Sequence, residues 1–300
     1  MKFVKEVAMK AEADVQSEKS TEYSQLDWVG MTEIQTLVLA RNQDGSFLSL
    51  PALLDVGVDL TANHRGIHMS RLYRLHQDLI LNQPLNQQQL SQFAAHSLES
   101  HAQLSQHFAC RLKLNWPMQT ISLMSQLAGF RNYPIEVIFE KNQTQEKTWL
   151  QFEILYSSTC PQSAGLSMEV LKSQQSQQAQ SVDRLPATPH AQRSRAVIQA
   201  DVGEISQSLI ESLIERVEKA LGTPVQTTVK KADELRFAQL NAENLMFCED
   251  AARKISQSLM DISQVKGFSV YCEHQESLHP HNASSRISSR FQRPERLQFG

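Results

Sequence analysis

Apolar residues recur along the chain with two different spacings, and the switches between them mark out the elements. Segments 36–41 and 53–60 are short apolar runs of the kind that form strands. Two helical patterns follow, 70–81 with Leu72, Leu75, Leu79 and Ile80 apolar, and 87–101. Alternation then returns. Phe108, Cys110, Leu112, Leu114 and Trp116 alternate with Ala109, Arg111, Lys113 and Asn115, and Ile135, Val137 and Phe139 do the same, which is the period of a half-buried strand. The predicted order is strand, strand, helix, helix, strand, strand.

The second half repeats that order without visible sequence repetition. Leu150, Phe152, Ile154 and Tyr156 alternate on one strand, and 195–202 predicts another. Segment 204–221 carries Ile205, Leu209, Ile210, Leu213, Ile214 and Val217 on one stripe, and Gly222 ends it with Pro224 two residues beyond, a helix with its stop signal. A second, long helix is predicted over 233–260, then a strand with Phe268, Val270 and Cys272, and a last edge strand at 284–291. The Gln/Ser-rich stretch SQQSQQAQS (173–181) predicts a long exposed loop. The expectation is an α+β protein of two tandem ββααββ units, 26–144 and 145–292, meeting near the polar turn KNQTQEK (141–147). Residues 1–25 and 293–300 read as tails, and the Ser- and Arg-rich end from 284 onward as poorly ordered.

Charge narrows the function. There are 29 Lys and Arg against 32 Asp and Glu, a net of −3, so the basic excess needed to grip nucleic acid through its phosphates is missing. The apolar runs are far shorter than the 18 or so residues of a membrane span, and the amino terminus lacks the apolar core of a secretory signal. The expected setting is the cytoplasm, with neither nucleic acid nor membrane as partner. Four cysteines, Cys110, Cys160, Cys248 and Cys272, are scattered with no CxxC pair, which suits reduced thiols. Cys160 is the one expected to do chemistry and the other three to pack.

Reactive side chains gather in four places: TCPQS (159–163), PHAQRS (189–194), KKADE with the later FCEDAARK (230–234 and 247–254), and HQESLHPH (274–281). Each has an ordinary reading, because a lone Cys at a strand end is usually a small hydrophobe and acidic helix faces are usually solvated. Placement favours chemistry for two of them. Cys160 follows a strand and His190 precedes one, and element ends hold a side chain rigidly while leaving it reachable. A Cys, a His and a carboxylate are a workable ligand set for a divalent metal with one position left for water. Spacing this long is not diagnostic by itself.

The strings DWVGM (27–31), RGIHMSRLY (65–73), SSTCP (157–161), QRS (192–194), LGTPVQTTVK (221–230), NLMFCEDAAR (244–253) and HQESLHPH (274–281) together closely resemble GTP cyclohydrolase of type IB, in order and in both halves. The resemblance implies two tandem tunnelling-fold units per chain and a homotetramer with sites between subunits. It implies conversion of GTP and water to 7,8-dihydroneopterin triphosphate and formate, the first step of pterin synthesis. Carried across by position, the metal ligands fall on Cys160, His190 and Glu234, and the carboxylate that anchors guanine on Glu249. Three departures stand out: Gln162 where the family often has a second Cys, Ala191 where it often has Asn, and Lys231-Ala232 within the family's KREDE pattern. Lys231 keeps the positive charge without the bidentate fork of Arg.

The implied chemistry is hydrolysis at C8 of guanine by a water whose pKa the metal lowers from 15.7 toward roughly 7. Zn, Mn and Fe all suit such a site. Later proton transfers need a shuttle, for which His274, His279 and His281 qualify by type, and His274 is taken as the catalytic residue beside Cys160. Lys230, Lys231, Arg193, Arg65 and Arg71 are the cations within these strings that could meet a triphosphate, while Gly66 and Ser70 would equally suit a turn and a helix cap. Asp250, about 100 degrees around the helix from Glu249, is expected to cap, to pair with Arg253 or to face solvent. Two rivals stand beside this reading: a tunnelling-fold nitrile reductase with Cys160 as nucleophile and NADPH as reductant, and a non-catalytic nucleotide- or pterin-binding module.

Overall fold

The computed structural model describes residues 24–42, 44–176, 185 and 187–300. The expected disorder of residues 1–25 therefore falls almost wholly outside the described residues. Strands β1 (Leu26–Arg41) and β2 (Phe47–Leu60) lead into helix α1 (Met69–Leu79), the two-residue β3 (Gln83–Pro84) and helix α2 (Gln87–Ser100), and then to β4 (Phe108–Ile121) and β5 (Ala128–Lys141). The remainder comprises β6 (Glu146–Thr159), α3 (Pro161–Ser176), β7 (Ala191–Val202), α4 (Gln207–Leu221), α5 (Lys231–Glu243), α6 (Cys248–Met260), β8 (Val265–His274) and β9 (Ala283–Ser289). All nine strands lie in one sheet of order β3-β1-β2-β4-β5-β6-β7-β8-β9. Every pairing is antiparallel except that of β1 with β3. The strand-strand-helix-helix-strand-strand order thus occurs twice, with extra helical pieces in the second half.

Alternation decides which residues enter the core. On β4, Phe108, Cys110, Leu112, Leu114 and Trp116 are buried, as are Leu150, Phe152, Ile154 and Tyr156 on β6 and Val270 and Cys272 on β8. The predicted stripe of α4 packs inward through Leu209, Ile210, Leu213, Ile214 and Val217, and Ser206 caps the helix by accepting from the Leu209 N–H at 3.2 Å. Its end is the predicted one: Gly222 takes the left-handed conformation, φ 78°, which glycine adopts without a Cβ clash. Among the described residues no helix is long and apolar enough to cross a membrane.

Four expectations are corrected. Helix α3 occupies part of the segment expected to be loop, and 177–181 lie outside the described residues. Pro161 suits the first helical position and Ala164 to Lys172 are mostly good helix formers, but their apolar residues make no stripe to read. The single long helix over 233–260 is two helices. At the break, Asn244 turns its side-chain N–H back onto the Leu240 carbonyl, and buried Met246 donates its N–H to the Thr159 carbonyl at the end of β6. That tertiary bond starts a new helix at Cys248.

Helix α1 begins at Met69 with His68 at its N-cap, so Ser70 sits inside the first turn and does not cap it. The chain end is also not loose. Residues 291–300 cross the sheet face opposite the helices: Trp149 Nε1 donates to the Gln292 carbonyl at 2.7 Å, Glu140 accepts from the N–H groups of Glu295 and Arg296, and Leu297 packs on Ala109, Ile138 and Trp149. Arg111 joins Asp55 to the Gln298 carbonyl beneath this strap. Burying apolar surface on both faces of the central strands explains why an Arg- and Ser-rich end is held.

Candidate functional site

The ladder between β6 and β7 ends with Thr159 opposite Ala191. One step further, Cys160 faces His190, and the Cys160 N–H donates to the His190 carbonyl at 3.2 Å. Strand register, set by the apolar alternation tens of residues away, thereby joins two residues 30 apart in sequence. They line a cavity of about 400 Å³ with Gln162, Gln192, Cys248, Glu249, His274 and Glu276 among its walls. A larger depression of about 730 Å³ lies over β1, β2, β4 and β5 and is lined by residues such as Leu37, Leu53, Lys113 and Glu136, with no Cys or His. Chemistry favours the smaller one.

A directed chain of hydrogen bonds fixes His190. Gln192 Nε2 donates to Ser158 Oγ at 2.7 Å, which turns Gln192 Oε1 toward His190 Nδ1 at 3.2 Å. An amide oxygen accepts, so Nδ1 carries the proton and His190 Nε2 keeps a bare lone pair. Behind this pair the Ser158 and Ser194 hydroxyls meet at 2.7 Å. Glu276 Oε2 stands 3.9 Å from His190 Nδ1 and, among the described residues, is buried with no hydrogen-bond partner. A thiol and an imidazole lone pair in one cavity are donors of the type that holds a divalent cation, whereas Glu276 stands on the Nδ1 side of His190, away from that lone pair.

Glu249 is in the first turn of α6, on the cavity wall. Its carboxyl is held below the ordinary range by its own backbone N–H and by the Cys248 thiol, which donates to Oε2 at 3.2 Å. Burial and the neighbouring Glu249 push the Cys248 thiol up to about 11, so it stays a donor. Asp250 behaves as expected, accepting from the Phe247 N–H at 3.1 Å and from Arg253 at 3.1 Å. His274 is buried, with Nε2 3.0 Å from the Tyr156 hydroxyl. His279 lines the cavity and stacks on His281 with centroids 5.0 Å apart.

The other expected site residues are elsewhere in the chain. Glu234, Lys230 and Lys231 are exposed at the start of α5 and do not line the cavity. That helix start is anchored by Asp233, which accepts from the N–H groups of Met124 and Ser125 at 2.7 and 3.0 Å and of Lys230 at 2.8 Å. Arg193 alternates with Gln192 and Ser194 and so points to the opposite sheet face. Arg65 and Arg71 are in the segment between β2 and α2, where Arg71 donates to the Ser100 carbonyl at 2.6 Å. Among the described residues no three His, Cys, Asp or Glu side chains of one chain form a metal-binding group. Gln192, Glu276 and Cys248 are the site residues that sequence reasoning passed over, although each lies within a string already singled out. Cys110, Cys248 and Cys272 are buried, as expected.

The sequence matches the family described as Type I GTP cyclohydrolase folE2 over residues 13–285. The chain belongs to that family. It is 37% identical over 293 residues to the GTP cyclohydrolase FolE2 of Bdellovibrio bacteriovorus, covering 92% of this chain and 95% of that one. It is 40% identical over 292 residues to the FolE2 of Xanthomonas axonopodis pv. citri, covering 91% and 93%. Among solved structures it resembles uricase from Arthrobacter globiformis, with a TM-score of 0.51 at 9% identity over 92% of this chain and 98% of that one. That likeness concerns the fold alone, which is the tunnelling fold. The family is the one its strings resemble, and the nitrile-reductase and non-catalytic alternatives give way to a GTP cyclohydrolase.

Three buried imidazoles make the folded cyclohydrolase acid-sensitive. Burial lowers the pKa of His76 and His101, and that of His274 to about 4, against an ordinary 6.5. The unfolded chain therefore binds more protons below 6.5, and stability is full above that pH and falls as pH drops toward 4. Urea unfolding at about pH 5 against about pH 7 is expected to show a loss to which His274 contributes on the order of 2 kcal/mol. A His274→Gln variant with the same pH slope would contradict this assignment.

Proposed function

We propose that the cavity around Cys160 and His190 is part of an active site completed by helix α5 of a neighbouring copy, in a homotetramer. As a member of its family the protein is a GTP cyclohydrolase of folate biosynthesis, forming 7,8-dihydroneopterin triphosphate and formate. In this reading a divalent ion, Zn, Mn or Fe, is held by Cys160, His190 and the neighbour's copy of Glu234, and Lys230, Lys231, Arg193, Arg65 and Arg71 serve the triphosphate across subunit boundaries. The two tandem units span 26–144 and 145–292. The observation that carries the reading is the meeting of Cys160, the oriented His190 and the guanine-sized acceptor Glu249 in one cavity.

Bound there, the ion supplies Lewis acidity that makes water nucleophilic near neutral pH. The chain's own residues do the rest. Glu249, ionised at the start of α6, accepts from the ring N–H and 2-amino group of guanine in a planar pair, which adenine cannot offer. Leu166, Met246 and Leu278 form apolar wall on the cavity, limiting water around the base. His274 presents a neutral imidazole for the proton transfers of ring opening and closure.

The test is turnover of purified protein with GTP, read as fluorescent oxidised neopterin, before and after chelation and then with Mn or Zn restored. Loss on chelation and recovery on restoration are expected; turnover that survives complete metal removal overturns the metal assignment. Gln192→Leu, which removes the acceptor that orients His190, is expected to weaken metal affinity about 10- to 100-fold in a competition titration. Unchanged affinity would remove Gln192 from this role.

A further inference from the structure

On the helix side of the sheet, one row crossing β6, β7 and β8 reads Tyr156, Ser194, His274. Ser194 is too short to fill the middle of that row, so the Tyr156 hydroxyl reaches past it to His274 Nε2 at 3.0 Å. The rings meet edge-on, with centroids 5.7 Å apart at 71°. All three residues are buried, and so is the neighbouring Cys272. A buried phenol bonded to a histidine on the wall of the candidate cavity is absorbed by neither core packing nor the mechanism above.

We propose that Tyr156 is a positioning residue that fixes the tautomer of His274, holding the proton on Nδ1. A buried phenol O–H needs an acceptor, and among the described residues the hydrogen-bond partner of the Tyr156 hydroxyl is His274 Nε2, so Tyr156 donates to Nε2. A neutral ring whose Nε2 accepts carries its proton on Nδ1, the less populated form of free imidazole. Burial keeps the ring neutral. His274 then offers the cavity a hydrogen-bond donor of fixed direction at Nδ1, the one ring nitrogen not committed to Tyr156. The same logic holds His190 in place through Gln192, so two imidazoles of one cavity are each locked by a separate partner.

This inference rests on the reading of His274 as a participant in the reaction, and the experiment separates the two. Imidazole nitrogen spectra of uniformly 15N-labelled protein near neutral pH, with His274→Asn used to assign the signal, report the tautomer without substrate. The wild-type protein is expected to show His274 protonated at Nδ1, and Tyr156→Phe, which keeps the ring packing, to shift the signal toward the Nε2-protonated form. Steady-state kinetics of Tyr156→Phe are expected to give a kcat about tenfold lower with KM for GTP within about twofold. A wild-type ring protonated at Nε2, or a Tyr156→Phe protein with unchanged spectrum and kcat beside an inactive His274→Asn, overturns the role of Tyr156 alone. Full turnover in His274→Asn overturns the reading beneath it.

Discussion

Replacing Cys160 with alanine is expected to leave a folded protein whose turnover of GTP is lower by about 10³-fold or more, since in the proposed site it helps to hold an ion that would supply several kcal/mol of barrier lowering. Folding survives because Cys160 lies between β6 and α3, and is only partly buried. Its structural work is done by backbone groups: its N–H bonds the His190 carbonyl and its own carbonyl accepts from the Ala164 N–H at 3.0 Å. Alanine keeps both. What disappears is the sulfur, the softest donor in the cavity. Cys160→Ser sharpens the comparison, because it preserves shape while replacing a soft sulfur donor with a hard hydroxyl oxygen. Neopterin fluorescence gives the rate, metal analysis of the purified variant gives occupancy, and thermal unfolding controls for folding. A variant within about tenfold of wild type, or one that keeps its full metal content, sinks the assignment.

Glu249→Gln is the second large effect, and it should fall on substrate binding. In the proposed site guanine presents two donors to this residue, and a carboxylate meets both with acceptors. An amide of the same shape meets one of them with a donor. Two charge-assisted bonds worth about 1.5–3 kcal/mol each are at stake, so KM for GTP is expected to rise by two to three orders of magnitude. Glu249 is exposed and its α6 neighbour Asp250 keeps the cap at Phe247, so stability and metal content should be unchanged. The removed acceptor of the Cys248 thiol is a lesser loss, since a thiol is a weak donor. Metal loss equal to that of Cys160→Ala would show that Glu249 belongs to the ion and not to the base. An unchanged KM would remove it from recognition altogether.

Much of the site was legible before any coordinates, and the reason differs from residue to residue. Cys160 and His190 stood out because reactive types sat at strand ends, and strand ends are where register makes side chains meet. Glu249 became readable through the unusual string around it. Glu276 and Gln192 were in view but unassigned. Nothing in a sequence says that Gln192 Oε1 turns to His190 because its Nε2 is occupied by Ser158, or that Glu276 Oε2 is left buried without a hydrogen-bond partner among the described residues. The break in the 233–260 helix was hidden for a related reason. Helical periodicity continues through Asn244 to Phe247, and only the bond from Met246 to the end of β6 ends it.

The sequence by itself determined the strands and their order, the α4 stripe with its glycine stop and the family. These follow from local periodicity and from strings of neighbours, and local patterns survive in one dimension. Tertiary structure decided what depends on distance. It placed Cys160, His190, Glu249 and His274 around one cavity while leaving Glu234, Lys230, Lys231, Arg193, Arg65 and Arg71 outside it. It also folded the Arg- and Ser-rich end onto Trp149. Both outcomes come from register and face: a strand shows its two faces to different surroundings, and neighbours across a sheet are set by pairings between residues far apart along the chain.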